Sequence, residues 1–287
     1  GGLGKPVIVL FHQAGWSRGE YREIAPRLQE MGFHALAVDQ RSGSTINGVS
    51  NLTAQRARTG KLATTFTDAI PDMRAAIAHG RGLTSGPLLG WGSSYSSSLI
   101  LKLAAEESGL VDGVLSFSPG EYFPDRELIQ NAVTQLAVPT FITSARSEAS
   151  AYAPIVAMIP SVTPLVTFRP STAGRHGSST LWPATADSAT TWNEVVAFLQ
   201  PYLSSRLTPP PLSLTLSGLS VNPGPTVQLL EASRDLLDWN GLAVIASGPA
   251  ASEIPSREPR ALSSPRAAGR DHGRDRFCDG DRFRRSL

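Results

Sequence analysis

The chain has 287 residues, with 26 lysines and arginines against 24 aspartates and glutamates, a formal net charge of +2. Its 41% hydrophobic and 17% charged residues are typical of a folded globular protein, and its length allows one large domain with an appendage. The small net charge argues against a nucleic-acid partner. No apolar run is long enough to span a membrane, and a single cysteine excludes an intramolecular disulfide framework.

Short apolar runs alternate with polar, amphipathic stretches over the first two hundred residues. The runs predict six β-strands, at residues 6–11, 33–38, 86–91, 111–117, 138–144 and 163–168. Residues 17–31 predict a helix, because apolar side chains recur at spacings of three and four behind a polar cap. A last helix is predicted around residues 192–203. This alternation indicates an α/β fold, a mainly parallel sheet with helices on both faces.

The third predicted strand runs through Gly92-Ser93-Ser94-Tyr95-Ser96 into an apolar helix. A strand, a sharp turn with a central serine and a helix form the layout of a nucleophile elbow. Such a turn strains the serine backbone and packs helix closely on strand, so the residues two before and two after it must be small. Gly92 and Ser96 meet this demand, which makes Ser94 the candidate nucleophile.

A carboxylate and an imidazole follow Ser94 in the chain. Glu148 comes just after the predicted strand 138–144, and His176 lies in a glycine-flanked loop after the strand 163–168. A serine needs a base to take its proton, histidine titrates near neutrality, and a carboxylate fixes the histidine tautomer. Asp187 is an alternative acid, although it follows the histidine and so breaks the order Ser, acid, His.

Residues 5 to about 203 resemble α/β-hydrolases of the dienelactone hydrolase-like and esterase group. The landmarks are Leu10-Phe11-His12-Gln13-Ala14-Gly15, Val38-Asp39-Gln40-Arg41-Ser42-Gly43, the elbow around Ser94, the stretch from Pro139 to Glu148, and His176-Gly177. The chain departs from the usual pattern twice, with Ser96 in place of glycine and Glu148 in place of aspartate. Dienelactone hydrolases use a cysteine nucleophile, whereas the cysteine here, Cys278, is far from the elbow.

The resemblance implies a serine carboxylic ester hydrolase with an α/β-hydrolase fold and no large cap domain. Ser94, His176 and Glu148 would form the triad and act through an acyl-enzyme on small or short-chain acyl substrates. The backbone N–H of Tyr95 and that of Gln13 or Ala14 would hold the oxyanion. The expected partner is a small-molecule ester, with no cofactor, metal, nucleic acid or membrane span.

The triad alone leaves other functions open. A lactonase, thioesterase, peptidase or polyester hydrolase would use the same residues, because the fold does not fix the acyl or leaving group. A noncatalytic hydrolase-like binding protein is the alternative from a different class.

Three aromatic residues near the expected mouth, Trp16, Tyr122 and Trp182, are candidates for the substrate pocket. Trp91, Tyr95 and Phe123 share this interpretation, and for all six a place in the core is the alternative.

Polar residues near the site have simpler interpretations. His12 is expected to be structural, because it lies in the loop that supplies an oxyanion amide. Asp39 and Arg41 are expected to form a loop-ordering ion pair. Residues 42–61 predict a long irregular connection that would roof the site.

The composition changes after Arg206, which predicts three segments. Residues 1–207 form the catalytic domain, and residues 208–247 form a linker with a small β-like segment. The second of these resembles a small C-terminal β module of some exported bacterial proteins through Val227-Gln228-Leu229-Leu230-Glu231-Ala232-Ser233-Arg234-Asp235-Leu236-Leu237-Asp238-Trp239. Residues 248–287, rich in Arg, Pro and Ser, predict a disordered tail, for which a reading-frame change near residue 250 is one hypothesis. The protein is expected to be soluble, in the cytoplasm or exported.

Overall fold

A computed structural model describes residues 4–204, so the segments predicted at 208–247 and 248–287 lie outside the described residues. The strands are β1 (Val7–Phe11), β2 (His34–Val38), β3 (Thr45–Ile46), β4 (Val49–Ser50), β5 (Leu88–Ser93), β6 (Gly113–Phe117), β7 (Thr140–Thr143) and β8 (Leu165–Phe168). The helices are α1 (Ala25–Met31), α2 (Leu52–Thr59), α3 (Ile70–Gly82), α4 (Tyr95–Glu106), α5 (Leu128–Val133), α6 (Ala149–Met158) and α7 (Ser188–Ser204).

Six strands form one parallel sheet in the order β2-β1-β5-β6-β7-β8. Each corresponds to one of the six predicted strands and begins one or two residues later than predicted. The predicted fold class is therefore confirmed. Parallel pairing brings the carboxyl ends of all six strands to one edge, where the loops that follow β1, β5, β6, β7 and β8 meet.

Both faces of the sheet are covered, which explains why its central strands are mostly apolar. Alternate β1 residues enter two cores: Val7, Val9 and Phe11 pack with α3 and α4 residues, and Ile8 and Leu10 with α1 and α7 residues. In β1, β5, β6 and β7 every residue is buried. The edge strand β8 is only partly buried.

The helix predicted over residues 17–31 consists of two pieces. A short 3-10 helix, Arg18–Tyr21, begins after Ser17, whose Oγ accepts a hydrogen bond from the Gly19 amide at 3.1 Å. The α1 helix then begins with Pro26 in its first turn. Because proline has no N–H to continue a preceding helix, the chain starts a new one at this point.

The prediction of an irregular connection over residues 42–61 is wrong. Strands β3 and β4 form an antiparallel hairpin through Asn47 and Gly48, whose φ angles are 52° and 76°. Two successive positive φ angles are those of a tight hairpin turn, which an Asn-Gly pair favours. The hairpin contacts the Arg18–Tyr21 helix. Helix α2 follows, with the Asn51 side chain accepting from the Ala54 amide at 2.8 Å.

Between β6 and β7 the only helix is the six-residue α5. Helix α7 begins four residues before the predicted start and covers one face of the sheet. Within residues 4–204, none of the helices combines the length and the apolar character that crossing a bilayer would require.

Candidate active site

Ser94 connects β5 to α4 in a strained backbone conformation. Its φ is 60° and its ψ −127°, a region that residues with a side chain rarely adopt. Strand and helix approach so closely that a Cβ on Gly92 would lie 2.4 Å from the Ser96 carbonyl oxygen. Ser96 fits in place of the usual glycine because its Oγ donates to the carbonyls of the β1 end, at 2.7 Å from Phe11 O. The local sequence thus holds the Ser94 hydroxyl at the carboxyl edge of the sheet.

Three loops bring Ser94, His176 and Glu148 into one hydrogen-bonded row. His176, in the loop after β8, has its Nε2 2.8 Å from Ser94 Oγ. Its Nδ1 lies 2.6 Å from Oε1 of Glu148, which ends the 3-10 helix Arg146–Glu148 after β7. With Nδ1–H donating to the carboxylate, Nε2 has a free lone pair directed at the serine hydroxyl. This is the geometry in which a histidine can take the proton of the serine.

The second carboxylate oxygen of Glu148 is also held. Ser118 Oγ donates to Oε2 at 2.7 Å, and the Ala145 amide donates at 3.2 Å. Burial opposes ionisation, but the bonds from His176 and Ser118 outweigh it and hold the pKa of the Glu148 carboxyl below its ordinary value. Glu148 therefore stays an anion at neutral pH.

Asp187, the alternative acid, is engaged elsewhere. Its Oδ2 accepts from Ser171 Oγ at 2.6 Å and from the Thr172 amide at 3.1 Å. The Glu148 carboxylate occupies the Nδ1 side of His176, so the structure favours Glu148 over Asp187 as its partner.

The loop that carries His176 is fixed by the two amides that follow it. The Gly177 amide donates to Ser118 Oγ at 2.9 Å, and the Ser178 amide donates to Ser93 Oγ at 2.8 Å. Gly177 has a φ of 65°, and a Cβ there would lie 2.3 Å from Ser93 Oγ. Only glycine therefore allows this close approach of the loop to β5.

The loop after β1 carries Gln13 and Ala14, whose backbone amides are the two alternatives for the first oxyanion donor. The Gln13 amide donates to Glu20 Oε2 at 2.8 Å. The Ala14 amide has no hydrogen-bond acceptor among residues 4–204. Tyr95 is the first residue of α4, where a backbone N–H has no partner within the helix. Ala14 and Tyr95, rather than Gln13, thus have amides available to a ligand.

His12 shapes this loop from inside the protein. The fully buried ring has its Nδ1 2.8 Å from the Gln13 carbonyl oxygen, and its Nε2 accepts from the Gln40 amide at 2.9 Å. Burial lowers the pKa of His12, so the ring is neutral. The contacts agree with the structural role predicted for it.

The predicted pocket aromatics separate into core and rim. Trp91, Tyr95 and Phe123 are buried in the core. Trp16 and Trp182 are partly exposed and stacked, with ring centroids 5.3 Å apart. The Tyr122 ring stands edge-on to the His176 ring at 6.5 Å, and its hydroxyl donates to the Ser118 carbonyl at 2.7 Å.

Asp39 and Arg41 do not pair with each other, which corrects that prediction. Asp39 forms an ion pair with Arg18, and Arg41 forms one with Asp72 at 2.7 Å. Both pairs tie the loop after β2 to neighbouring segments. Within the described range, no three His, Cys, Asp or Glu side chains are close enough together to hold a metal ion.

Glu20, Ser93 and Ser118 belong to the site but were not identified from the sequence. Ser118 could have been found as a polar residue directly after a buried strand, and Ser93 as the neighbour of the nucleophile. Glu20 gave no such signal, because it lies in a stretch that was predicted to be a helix from the spacing of its apolar residues alone.

The described domain is similar in structure to several hydrolases. A metagenome-derived lipolytic enzyme superposes with a TM-score of 0.54 at 12% identity, over 70% of this chain and 96% of that one. A dienelactone hydrolase from Anabaena variabilis gives 0.51 at 14%, over 69% and 87%. An esterase from Pyrococcus furiosus gives 0.53 at 15%, over 69% and 82%. No protein-family model and no curated protein matches the sequence. The parallel sheet, the elbow at its edge and these neighbours together show that the chain has the α/β-hydrolase fold.

Proposed function

We propose that the protein is a serine hydrolase that cleaves carboxylic esters through an acyl-enzyme. The observation that carries this proposal is the row Ser94 Oγ, His176 Nε2 and Nδ1, Glu148 Oε1, with contacts of 2.8 and 2.6 Å. The α/β-hydrolase fold occurs in enzymes with many different activities. The solved structures that this chain resembles include esterases, lipases and dienelactone hydrolases, which favours ester hydrolysis among them.

The reaction has two halves. Ser94 Oγ attacks the ester carbonyl while His176 Nε2 takes the hydroxyl proton, and His176 then gives this proton to the departing alcohol. Water attacks the acyl-serine in the second half, with His176 acting again as base and returning the proton to Ser94. The Glu148 carboxylate stabilises the imidazolium in both halves. The second half releases the carboxylic acid and regenerates the enzyme.

The oxyanion of each tetrahedral intermediate needs preorganised donors. The Ala14 and Tyr95 amides fill this role in the proposal, because the Gln13 amide is already bonded to Glu20. The pocket aromatics Trp16, Tyr122 and Trp182 would line the mouth around the acyl group or the alcohol. The short α5 in place of a cap domain favours small or short-chain esters reached from an open face.

The experiment is covalent labelling with a fluorophosphonate probe, together with hydrolysis of p-nitrophenyl acetate and butyrate. Wild type should be labelled at Ser94 and should hydrolyse both esters, whereas Ser94→Ala should lose labelling and several orders of magnitude in kcat. Ser108→Ala, an exposed serine beyond the other end of α4, is the matched control and should match wild type. Wild-type activity in Ser94→Ala would disprove the proposal, as would a wild type that neither labels nor hydrolyses.

A panel of esters of rising acyl length, with lactones, thioesters and a polyester, addresses the substrate. We expect the highest kcat/KM for short acyl esters. A preference for lactones, thioesters or polyesters would assign the same triad to one of the alternative hydrolases.

A further inference from the structure

Glu20 is a buried carboxylate next to the candidate triad. The residue is fully buried, on the 3-10 helix Arg18–Tyr21. Its Oε2 accepts from the Gln13 amide at 2.8 Å and its Oε1 from Ser93 Oγ at 2.6 Å. Within residues 4–204 it has no ion-pair partner. A buried acid without a cation costs folding free energy, so its presence calls for a function.

The two oxygens of Glu20 hold two different parts of the site. Through Oε2 it fixes the Gln13 N–H, one peptide unit before the N–H of Ala14, one of the proposed oxyanion donors. Through Oε1 it orients the Ser93 hydroxyl, whose lone pair accepts from the Ser178 amide, two residues after His176. One carboxylate therefore sets the positions of the oxyanion loop and the histidine loop relative to Ser94.

The hydrogen bonds around Glu20 fit the ionised form. The Gln13 N–H and the Ser93 hydroxyl both donate to its carboxylate, while Ser93 Oγ accepts from the Ser178 amide. If Glu20 were protonated, its O–H would donate to the second lone pair of Ser93 Oγ, and the Ser93 proton would have to turn to another acceptor.

The charged and titratable groups around Glu20 are few. Burial raises the pKa of Glu20 to about 7, while the bonds from Ser93 and Gln13 and the nearby His176 partly offset that rise. The phenols of Tyr21 and Tyr95 lie close enough to Glu20 for its charge to add to the burial that raises their pKa values. These phenols stay neutral, so His176 is the group whose charge changes opposite Glu20 during turnover.

We propose that Glu20 is a positioning residue of the hydrolase. It holds the loop with Gln13 and Ala14 and the loop with His176 in place beside Ser94, and it stabilises the imidazolium of His176. The inference rests on the proposed function. It adds a second carboxylate to the site, one that touches neither substrate nor triad.

Glu20→Gln is the main variant, because the amide has the same shape but replaces one acceptor oxygen with a donor. Its control is Glu23→Gln, three residues along and exposed to solvent. Hydrolysis of p-nitrophenyl butyrate is followed from pH 5 to 9, with the melting temperature measured at each pH. We expect Glu20→Gln to lose at least about tenfold in kcat with KM nearly unchanged. On the acid side, the plot of log kcat against pH should have a slope one unit smaller in Glu20→Gln than in wild type, because the variant has no carboxyl group at position 20 that must ionise.

The melting temperature separates positioning from simple support of the fold. Glu20→Gln should melt no lower than wild type at pH 8, and Glu23→Gln should match wild type throughout. A kcat within about twofold of wild type and an unchanged pH profile in Glu20→Gln would overturn the proposal. A loss of kcat that merely follows a loss of folded protein would do the same.

Ser93→Ala is a second variant that tests the proposal if Glu20→Gln does not fold. It removes the link from Glu20 to the Ser178 amide, and kcat should again fall with little change in KM. Wild-type kcat in Ser93→Ala would contradict the proposed link. Failure of the proposed function looks different, because wild type itself would then escape fluorophosphonate labelling.

Discussion

Ser93 and Ser118 make equivalent contacts on opposite sides of the histidine loop. Ser93 Oγ accepts from the Ser178 amide at 2.8 Å and donates to Glu20, while Ser118 Oγ accepts from the Gly177 amide at 2.9 Å and donates to Glu148. Each hydroxyl thus joins one amide after His176 to one carboxylate. Ser93 ends β5 and Ser118 follows the neighbouring strand β6, so the sheet sets the distance between them. We call these two serines the clamp on the histidine loop.

Ser118→Ala should therefore impair catalysis while the fold stays intact. The change leaves the buried Gly177 amide unpaired and removes a donor from Glu148, which costs roughly 1–3 kcal/mol. We expect kcat for p-nitrophenyl butyrate to fall about 10- to 100-fold. Ser116→Ala is the control and should cost far less, because this buried serine two residues earlier donates a longer hydrogen bond, of 3.3 Å, to the Ser97 carbonyl and holds no part of the histidine loop. Equal rates for the two variants would count against the clamp.

The assignment of the acid can be tested by a pair of amide substitutions. Glu148→Gln keeps the shape but removes the charge opposite His176, so kcat should fall by about two to four orders of magnitude. Asp187→Asn should leave kcat nearly unchanged, because among residues 4–204 the hydrogen bonds of its carboxylate come from Ser171 and Thr172 and not from His176. The reverse ranking in steady-state kinetics would transfer the role to Asp187.

Gly177→Ala should destabilise the protein more than a comparable substitution elsewhere. Gly177 combines a φ of 65° with a space in which a Cβ would meet Ser93 Oγ at 2.3 Å. Gly109 has a φ of 77° and nothing within 4 Å, so Gly109→Ala carries the backbone strain without the clash. Urea unfolding should show a cost of about 1–3 kcal/mol for the strain alone and a larger cost at Gly177. Similar midpoints for both would mean that the loop yields freely.

The buried Glu20 predicts a pH dependence of stability. Its pKa is about 7 in the folded protein against 4.5 for the free side chain, so the folded state retains a proton that the unfolded chain has released. Stability then falls as the pH rises from about 4.5 to 7, by at most about 3 kcal/mol, and stays lower above this window. Glu20→Gln removes this fall. Urea unfolding at pH 5 and pH 8 should show a smaller drop in the variant, and an identical drop would contradict it.

The sheet and the residues of the proposed triad could be picked out from the sequence because their signals are local. Each strand is a short apolar run, and small residues around Ser94 reveal the elbow without knowledge of the fold. Glu148 and His176 could be identified because each follows such a run. The Asn47-Gly48 turn carried an equally local signal that the sequence interpretation missed.

The residues that hold the proposed triad in place were not predictable in the same way. Glu20 contacts Ser93, which is 73 positions away, and Ser93 contacts Ser178 over another 85. No periodicity links such residues, because their contact depends on where the sheet places the ends of β1, β5 and β8. The partners of Asp39 and Arg41 were missed for the same reason, since the nearer residue in sequence was not the nearer one in space.

The placement of His176 after β8 also has a consequence for how the protein matures and fails. The strand has four residues, is partly exposed and, among residues 4–204, pairs with β7 alone, so this edge should open more easily than the central strands. A nascent chain can assemble most of its core before the base of the triad is held near the nucleophile. If this edge opens first on heating, the bonds from Gly177 and Ser178 to Ser118 and Ser93 must hold the proposed base near Ser94 without support from β8, so hydrolysis should decline before cooperative melting.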